Sequence, residues 1–292
     1  MPNRTGITKF RGKDVLPLDI RFVPDFLRKK LEEDVHEKPE NRQKCLSQLK
    51  ERLLDHKITK DVDFEDDFLL SILRHHEYKI EKAKANVLTY FSLRKNHSYF
   101  FTSIKHNFLK IPSSQTITLL PNRHPDGAAV VLFQLGKWYP SEILFEDAKK
   151  LCFLVAQQEL RNPVTQMTGF YTIDDFSGTG LRHLPVCTLL NMLLLLHVSF
   201  DVLPINVLGI HIVNGNFMLA TALALAKPFL SESIRKILYV HSSPEELLDY
   251  FPASVLPEKY GGTLKEFYVS DWYRKANEEH HNFPPGGQKN LF

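Results

Sequence analysis

The residue types best suited to chemistry are thirteen histidines, three cysteines and scattered carboxylates, and their spacing limits what they can do. His75-His76 and His280-His281 are adjacent pairs. Neighbouring side chains rarely converge on one ion, and no matched Cys, Asp or Glu constellation surrounds either pair, so no metal site is expected. His211 stands inside the apolar run Gly209-Ile210-His211-Ile212-Val213, where a hydrogen-bonded structural imidazole is expected rather than a catalytic base. Cys45, Cys152 and Cys187 are an odd number without a Cys-x-x-Cys pair, which suits buried thiols in a reducing compartment. Gly178-Thr179-Gly180 runs into Leu181-Arg182-His183 with no third glycine, and neither a Gly-x-Ser-x-Gly elbow nor a Walker phosphate loop is present. The pattern points to non-covalent work, with no enzyme activity and no cofactor.

The strongest physical demand comes from Phe217 to Ala226. A helix apolar on all sides must be buried in protein or touch lipid, because no polar stripe is left to face water. Phe217, Met218, Leu219, Leu223 and Leu225 cover more than one face, and Pro228 ends the run because it cannot donate the interior hydrogen bond. Leu184 to Phe200 is also apolar, but it contains Pro185, Asn191 and His197 and falls short of the roughly 20 residues needed to span a bilayer. It reads as a buried core helix.

Composition sets the frame. With 292 residues, 43% hydrophobic, 24% charged and a formal charge of +3, the chain is an ordinary folded protein too mildly basic to suggest nucleic acid. A weakly basic face can still rest on anionic lipid, where each Lys or Arg contributes on the order of 1 kcal/mol. Met-Pro-Asn-Arg-Thr-Gly has no apolar core of a secretory signal, and Gly6 is not at the position that myristoylation needs, so a cytoplasmic location is expected.

The elements follow from periodicity. Residues 1–20 mix charge, proline and glycine and read as a flexible leader. Residues 21–105 carry helical spacing: Leu27 and Leu31, then Leu46, Leu49 and Leu53, then the acidic start at Asp66-Asp67 before Phe68 to Leu73, then Ile80, Ala83, Val87 and Phe91. In residues 106–275, β-type runs at 128–135, 169–173, 207–213 and 236–240 alternate with helical stretches at 145–160, 184–199 and 217–226, the signature of an α/β domain. Residues 276–292 read as a tail.

Four strings resemble the CRAL-TRIO lipid-binding family: Asp67-Phe68-Leu69-Leu70-Ser71-Ile72-Leu73-Arg74 with Tyr78 to Ala83; Gly209 to Asn214; Lys227-Pro228-Phe229-Leu230; and Leu256-Pro257-Glu258-Lys259-Tyr260-Gly261-Gly262. The resemblance covers roughly residues 45–270. It implies a small helical N-terminal domain beside an α/β domain whose sheet floors one apolar cavity. A mobile gate helix, here Phe217 to Ala226 with Lys227, Pro228 and Phe229 at its hinge end, would close the cavity and swing aside at membranes. The function so implied is intracellular transfer of a small hydrophobic ligand such as a tocopherol, retinoid or carotenoid, by a monomer that associates transiently with membranes. The alternative use of the same fold is a phosphoinositide-responsive trafficking adaptor or small-GTPase regulator.

Departures qualify that picture. Where members commonly carry Asp-Leu-Glu-Gly, this chain has Thr172-Ile173-Asp174-Asp175 followed by Phe176-Ser177-Gly178. Positions at which tocopherol-transferring members present a basic cluster read His76, Asn206, Ser233 and Ile237, leaving Arg74, Lys227, Arg235 and Lys236 to meet anionic lipid. Pro204 is followed by Ile205 rather than an acidic residue, which favours a neutral ligand over phosphatidylinositol. The cavity is expected to be lined by Phe133, Leu135, Leu154, Phe170, Ile173 and Phe176, and by Leu190, Leu194, Ile210, Ile212, Phe217 and Leu223. Lys137, Tyr171 and Ser177 are the candidates for a ligand hydroxyl or carbonyl.

Overall fold

The computed structural model describes residues 15–20, 22–25, 27–29, 37, 39–104, 106–268 and 270–282. Three helices, α1 (Pro39–Leu54), α2 (Asp66–His75) and α3 (Ile80–Asn96), pack on one another at the N-terminal side. Asp66 and Asp67 lie in the first turn of α2 and Arg74 and His75 in its last, each sign favoured by the helix dipole at that end. Glu77 and Tyr78 adopt left-handed backbone angles (φ 51° and 58°) and turn the chain back into α3. The core of this layer contains Leu49, Leu53, Leu69, Ile72, Val87 and Tyr90. It is continuous with the rest of the molecule, because Phe153 and Val202 belong to the same cluster.

The sheet has strand order β1-β2-β3-β4-β5, from Ile117–Leu119, Ala129–Gln134, Phe170–Asp175, Val207–Val213 and Leu238–Val240. β1 pairs antiparallel with β2, and all later neighbours are parallel. Parallel strands laid down in sequence order, with crossovers of the usual right hand, put every crossover helix on one face. Those helices are α4 (Phe145–Glu159), α5 (Pro163–Thr168), α6 (Leu189–His197), α7 (Phe217–Ala226) and α8 (Glu232–Lys236). The other face is covered by the later chain, where Leu247, Phe251, Val255, Leu256 and Tyr260 pack on Val130, Leu132, Ile173 and Val213. The sheet is therefore buried on both sides, which accounts for its nearly continuous apolar strands.

Several sequence expectations change. Residues 1–14 of the expected leader lie outside the described residues, but Leu18 and Ile20 are buried, and the Leu18 N–H donates to the Pro121 carbonyl at 2.8 Å. The short antiparallel strand β1 has no counterpart among the expected β-type runs. The tail expected from residue 276 begins inside a helix, α9 (Ser270–Asn282), whose Tyr273 and Ala276 join the core around α4. The Tyr273 hydroxyl accepts from the Leu119 N–H at 2.8 Å and donates to the Ile117 carbonyl at 3.1 Å, tying that helix to β1. Leu31 and residues 283–292 lie outside the described residues, and His280 and His281 fall in the last turn of α9.

Candidate ligand-binding cavity

A cavity of about 400 Å³ lies between the sheet and its crossover helices. Its floor is Phe133 of β2, Thr172 and Asp174 of β3, and Val207 and Ile210 of β4. Alternation along β3 turns Thr172 and Asp174 toward the helices and Ile173 and Asp175 away from them. In β4 the pairing with β3 slips between Phe170 and Tyr171, so that Phe170 faces Val207 and Tyr171 faces Gly209. That bulge at Leu208 changes the parity of the strand and lets both Val207 and Ile210 reach the cavity. The walls come from Cys152 of α4, Met192 and Leu195 of α6, and Phe200 in the π-turn Val198–Val202 that continues α6. Trp138 and His183 close one end, the ring nitrogen Nε2 of His183 lying 3.2 Å from the Trp138 carbonyl.

Helix α7 covers the cavity with Met218 and Ala222. Met218 and Leu219 are buried against Phe176 and Ile212, while Leu223 is half-buried in the same cluster. Phe217 is 50% exposed, and Ala220 and Ala224, three and seven residues further on, are exposed beside it. Both faces of α7 are therefore apolar, one turned inward and one outward. Asn216 caps the helix, accepting from the Met218 N–H at 2.9 Å and donating to the Thr179 hydroxyl at 2.9 Å. The helix is bracketed by Asn214, in the left-handed region at φ 53°, and by Pro228. Leu190 (80% exposed) on α6, which packs against α7, and Leu181 (74%) in the preceding turn add further apolar surface on that side.

Adjacent carboxyls on β3 have opposite environments. Asp175 Oδ1 accepts from Asn214 Nδ2 at 2.8 Å and from the Ser177 N–H at 2.9 Å; Oδ2 accepts from the Tyr260 hydroxyl at 2.7 Å and Lys259 Nζ at 3.0 Å. Burial alone would raise its pKa, but these donors together hold it at about 2. The loop that brings Tyr260 and Lys259 there depends on two glycines: Gly261 sits at φ +81°, and a Cβ on Gly262 would stand 1.9 Å from the Leu256 carbonyl oxygen. Asp174 faces the cavity instead. Its Oδ1 is buried without a hydrogen-bond partner, and burial pushes its pKa up to about 7, opposed only by the Thr172 hydroxyl.

The cavity's other reactive groups are quiet. Burial, reinforced by Asp174, pushes the Cys152 thiol up to about 12, so it stays protonated and a poor nucleophile. Lys149 Nζ lies 5.0 Å from the Phe145 ring centre, 5.3 Å from that of Tyr99, and 3.6 Å from Glu146. The arrangement can shelter an apolar molecule and offer it a few polar contacts, Asp174 among them.

Of the residues expected at the cavity, Phe133, Leu135, Phe176 and Ile210 line it, as does Met218 of the expected gate. Tyr171 and Ile173 lie on the opposite face, where the Tyr171 hydroxyl donates to Asp126 at 3.0 Å and Ile173 is wholly buried. Lys137 and Ser177 are exposed, beyond the strand ends. Leu154 and Phe170 belong to the core around α4, Leu194 packs toward the helical layer, Ile212 packs under α7, and Leu223 of α7 itself is half-buried in that cluster. Leu190 and Phe217 face outward. Arg74 is unavailable to lipid: its side chain is only 12% exposed and donates to Glu37 at 2.7 and 2.8 Å and also to Gln166. Lys227, Arg235 and Lys236 are exposed just past α7, with Lys236 paired to Glu232 at 2.8 Å. Leu225 is half-buried and Phe229 exposed. Thr172 and Asp174 escaped notice; strict alternation through Phe176 would have put all three on one face.

Beneath the sheet, His211 is buried and shares a 3.0 Å hydrogen bond with His241, their rings parallel within 4°. Burial, then the positive charge that His241 and His124 would carry, pushes His211 down to about 3. It is a structural imidazole, hydrogen-bonded and neutral. Among the described residues no helix is long and apolar enough to cross a membrane.

Comparison with known proteins gives one consistent result. Residues 113–262 match the model of the CRAL/TRIO domain. An alpha-tocopherol transfer protein-like protein of Homo sapiens is 27% identical over 245 residues, spanning 83% of this chain and 72% of that protein. Clavesin-1 of Rattus norvegicus is 24% identical over 280 residues, spanning 94% and 79%. The crystal structure of Sfh5 is similar at a TM-score of 0.55 and 12% identity, covering 88% of this chain and 94% of that one, a likeness of fold alone.

Proposed function

The chain belongs to the CRAL/TRIO domain family, and on that premise we propose that it binds one small hydrophobic molecule in the cavity beneath α7 and carries it between membranes. The observation that supports this reading best is the pairing of a mostly apolar, partly open cavity with a covering helix that is apolar on both faces. Burying ligand surface at about 25 cal/mol per Å² supplies the attraction, offset by the ligand's lost freedom. In water α7 stays closed over the cavity. At a bilayer its outer residues Phe217, Ala220 and Ala224, with Leu190 beside them, exchange water for acyl chains, so lifting the helix leaves no apolar surface newly exposed to water. Asn214 and Pro228 are the points at which the helix would swing. Lys227, Arg235 and Lys236 would meet an anionic head-group region, where each contributes on the order of 1 kcal/mol.

Native mass spectrometry of the protein from a lipid-rich host, followed by solvent extraction, tests the reading. The expected result is one apolar compound per chain, lost in Ala222→Phe, which fills the space under α7. Phe217→Asp should keep the ligand but slow its delivery to anionic vesicles. A folded protein that is consistently empty across such hosts, and docks on vesicles without transferring anything, would displace the carrier reading in favour of an adaptor.

A further inference from the structure

The fold supplies Asp175 with four donors and gives its neighbour Asp174 almost none. Asp174 projects into the cavity floor, its Oδ1 is buried and unpartnered, and the side-chain help it receives is from Thr172 on the same face of the strand. The cation that lines the same cavity, Lys149, is held by Glu146 and the rings of Phe145 and Tyr99. An acceptor left without a donor once an apolar ligand has displaced water from this mostly apolar space costs binding free energy. Its partner is therefore expected to arrive with the ligand.

We infer that Asp174 anchors a hydroxyl group of the bound molecule, making the cavity selective for long-chain alcohols over ethers, esters and hydrocarbons of the same shape; this rests on the carrier reading above. Three chemical arguments narrow the choice to a hydroxyl. An anionic head group would stand against a carboxyl with no cation between them. An ammonium would have to shed its water to cross an apolar lid, at a far higher cost than a hydroxyl. An ether or ester can only accept, so it leaves Asp174 unsatisfied whenever the acid is ionised. A hydroxyl donates to the carboxylate, and can accept from the protonated acid, so it fits in either state. Thr172 is one strand repeat away and holds the carboxyl from the side, which leaves Oδ1 as the free acceptor.

The test is a competition on the full chain. Equimolar retinol and retinyl methyl ether, and separately phytol and phytyl methyl ether, are offered to the protein at about pH 9, where the Asp174 carboxyl is ionised and an ether has nothing to accept from it, and the ratio of occupied masses is read by native mass spectrometry. The wild type should favour each alcohol by about tenfold or more, the order expected for one buried acceptor satisfied or not. In Asp174→Val the ratio should fall to about one with total occupancy kept, and in Asp174→Asn, a neutral acceptor of the same shape, it should lie between. Equal occupancy of alcohol and ether by the wild type overturns the inference while leaving the carrier reading intact. An alcohol preference that persists in Asp174→Val, or unchanged in Asp174→Asn should the valine variant not fold, overturns Asp174 as the anchor. Binding of no member of either pair counts against the carrier reading on which the inference stands.

Discussion

Asp175→Asn should destabilise the protein by about 2 kcal/mol at neutral pH. The magnitude follows from the donors around the carboxylate, which move its pKa from 3.8 to about 2, each unit being worth about 1.4 kcal/mol between the protonation states. Because the folded pKa lies below the unfolded one, the stabilisation is complete above pH about 4 and is lost as pH falls through about 2. The substitution keeps the shape of the side chain but removes the charge that Lys259 and the Tyr260 hydroxyl meet, so the Leu256–Gly262 loop should loosen first. Urea unfolding followed by far-UV circular dichroism at pH 7, with hydrogen exchange of the loop amides, measures both consequences. A variant as stable as wild type at pH 7, or a deficit that grows on acidification, would refute the account of Asp175 as the clamp between β3 and that loop.

Two further pH effects have opposite signs. Asp174, raised to about 7, keeps its proton in the folded state over a range where the unfolded chain has lost it. It therefore weakens the ligand-free protein progressively as pH rises from about 4 to 7, and Asp174→Asn should recover up to about 4 kcal/mol above pH 7, read as the difference in urea unfolding between variant and wild type. His211, lowered to about 3, refuses a proton that the unfolded chain takes up near 6.5. Stability is lost through it as pH falls below that value, and His211→Phe, facing His241, His124, Tyr239 and Tyr250, should flatten the acid side of the profile; a variant with an unchanged acid profile would remove His211 from the explanation.

Elements whose signal is local are legible in the chain before it folds. Residues Phe217 to Ala226 form a helix because the apolar run, the Asn216 cap and Pro228 are all contained in one short stretch, and α7 occupies that range. The acidic start of α2 and the apolar strands were legible for the same reason, since each property is written in neighbouring residues. Facing and partnership come from packing. Asp174 and Asp175 are identical and adjacent, yet one is a satisfied anion and the other an unmet acid, because a period of two sends them to opposite faces of β3 and only the packing of helices on one side and the Leu256–Gly262 loop on the other distinguishes those faces. Tyr171 and Ile173 were misplaced on the same account. Arg74 looked free for lipid because nothing near it in sequence pairs with it; Glu37 and Gln166, which hold it, are 37 and 92 residues away. Local pattern fixes what an element is. Which way its side chains look, and what they meet, depends on chain brought back from far along the sequence.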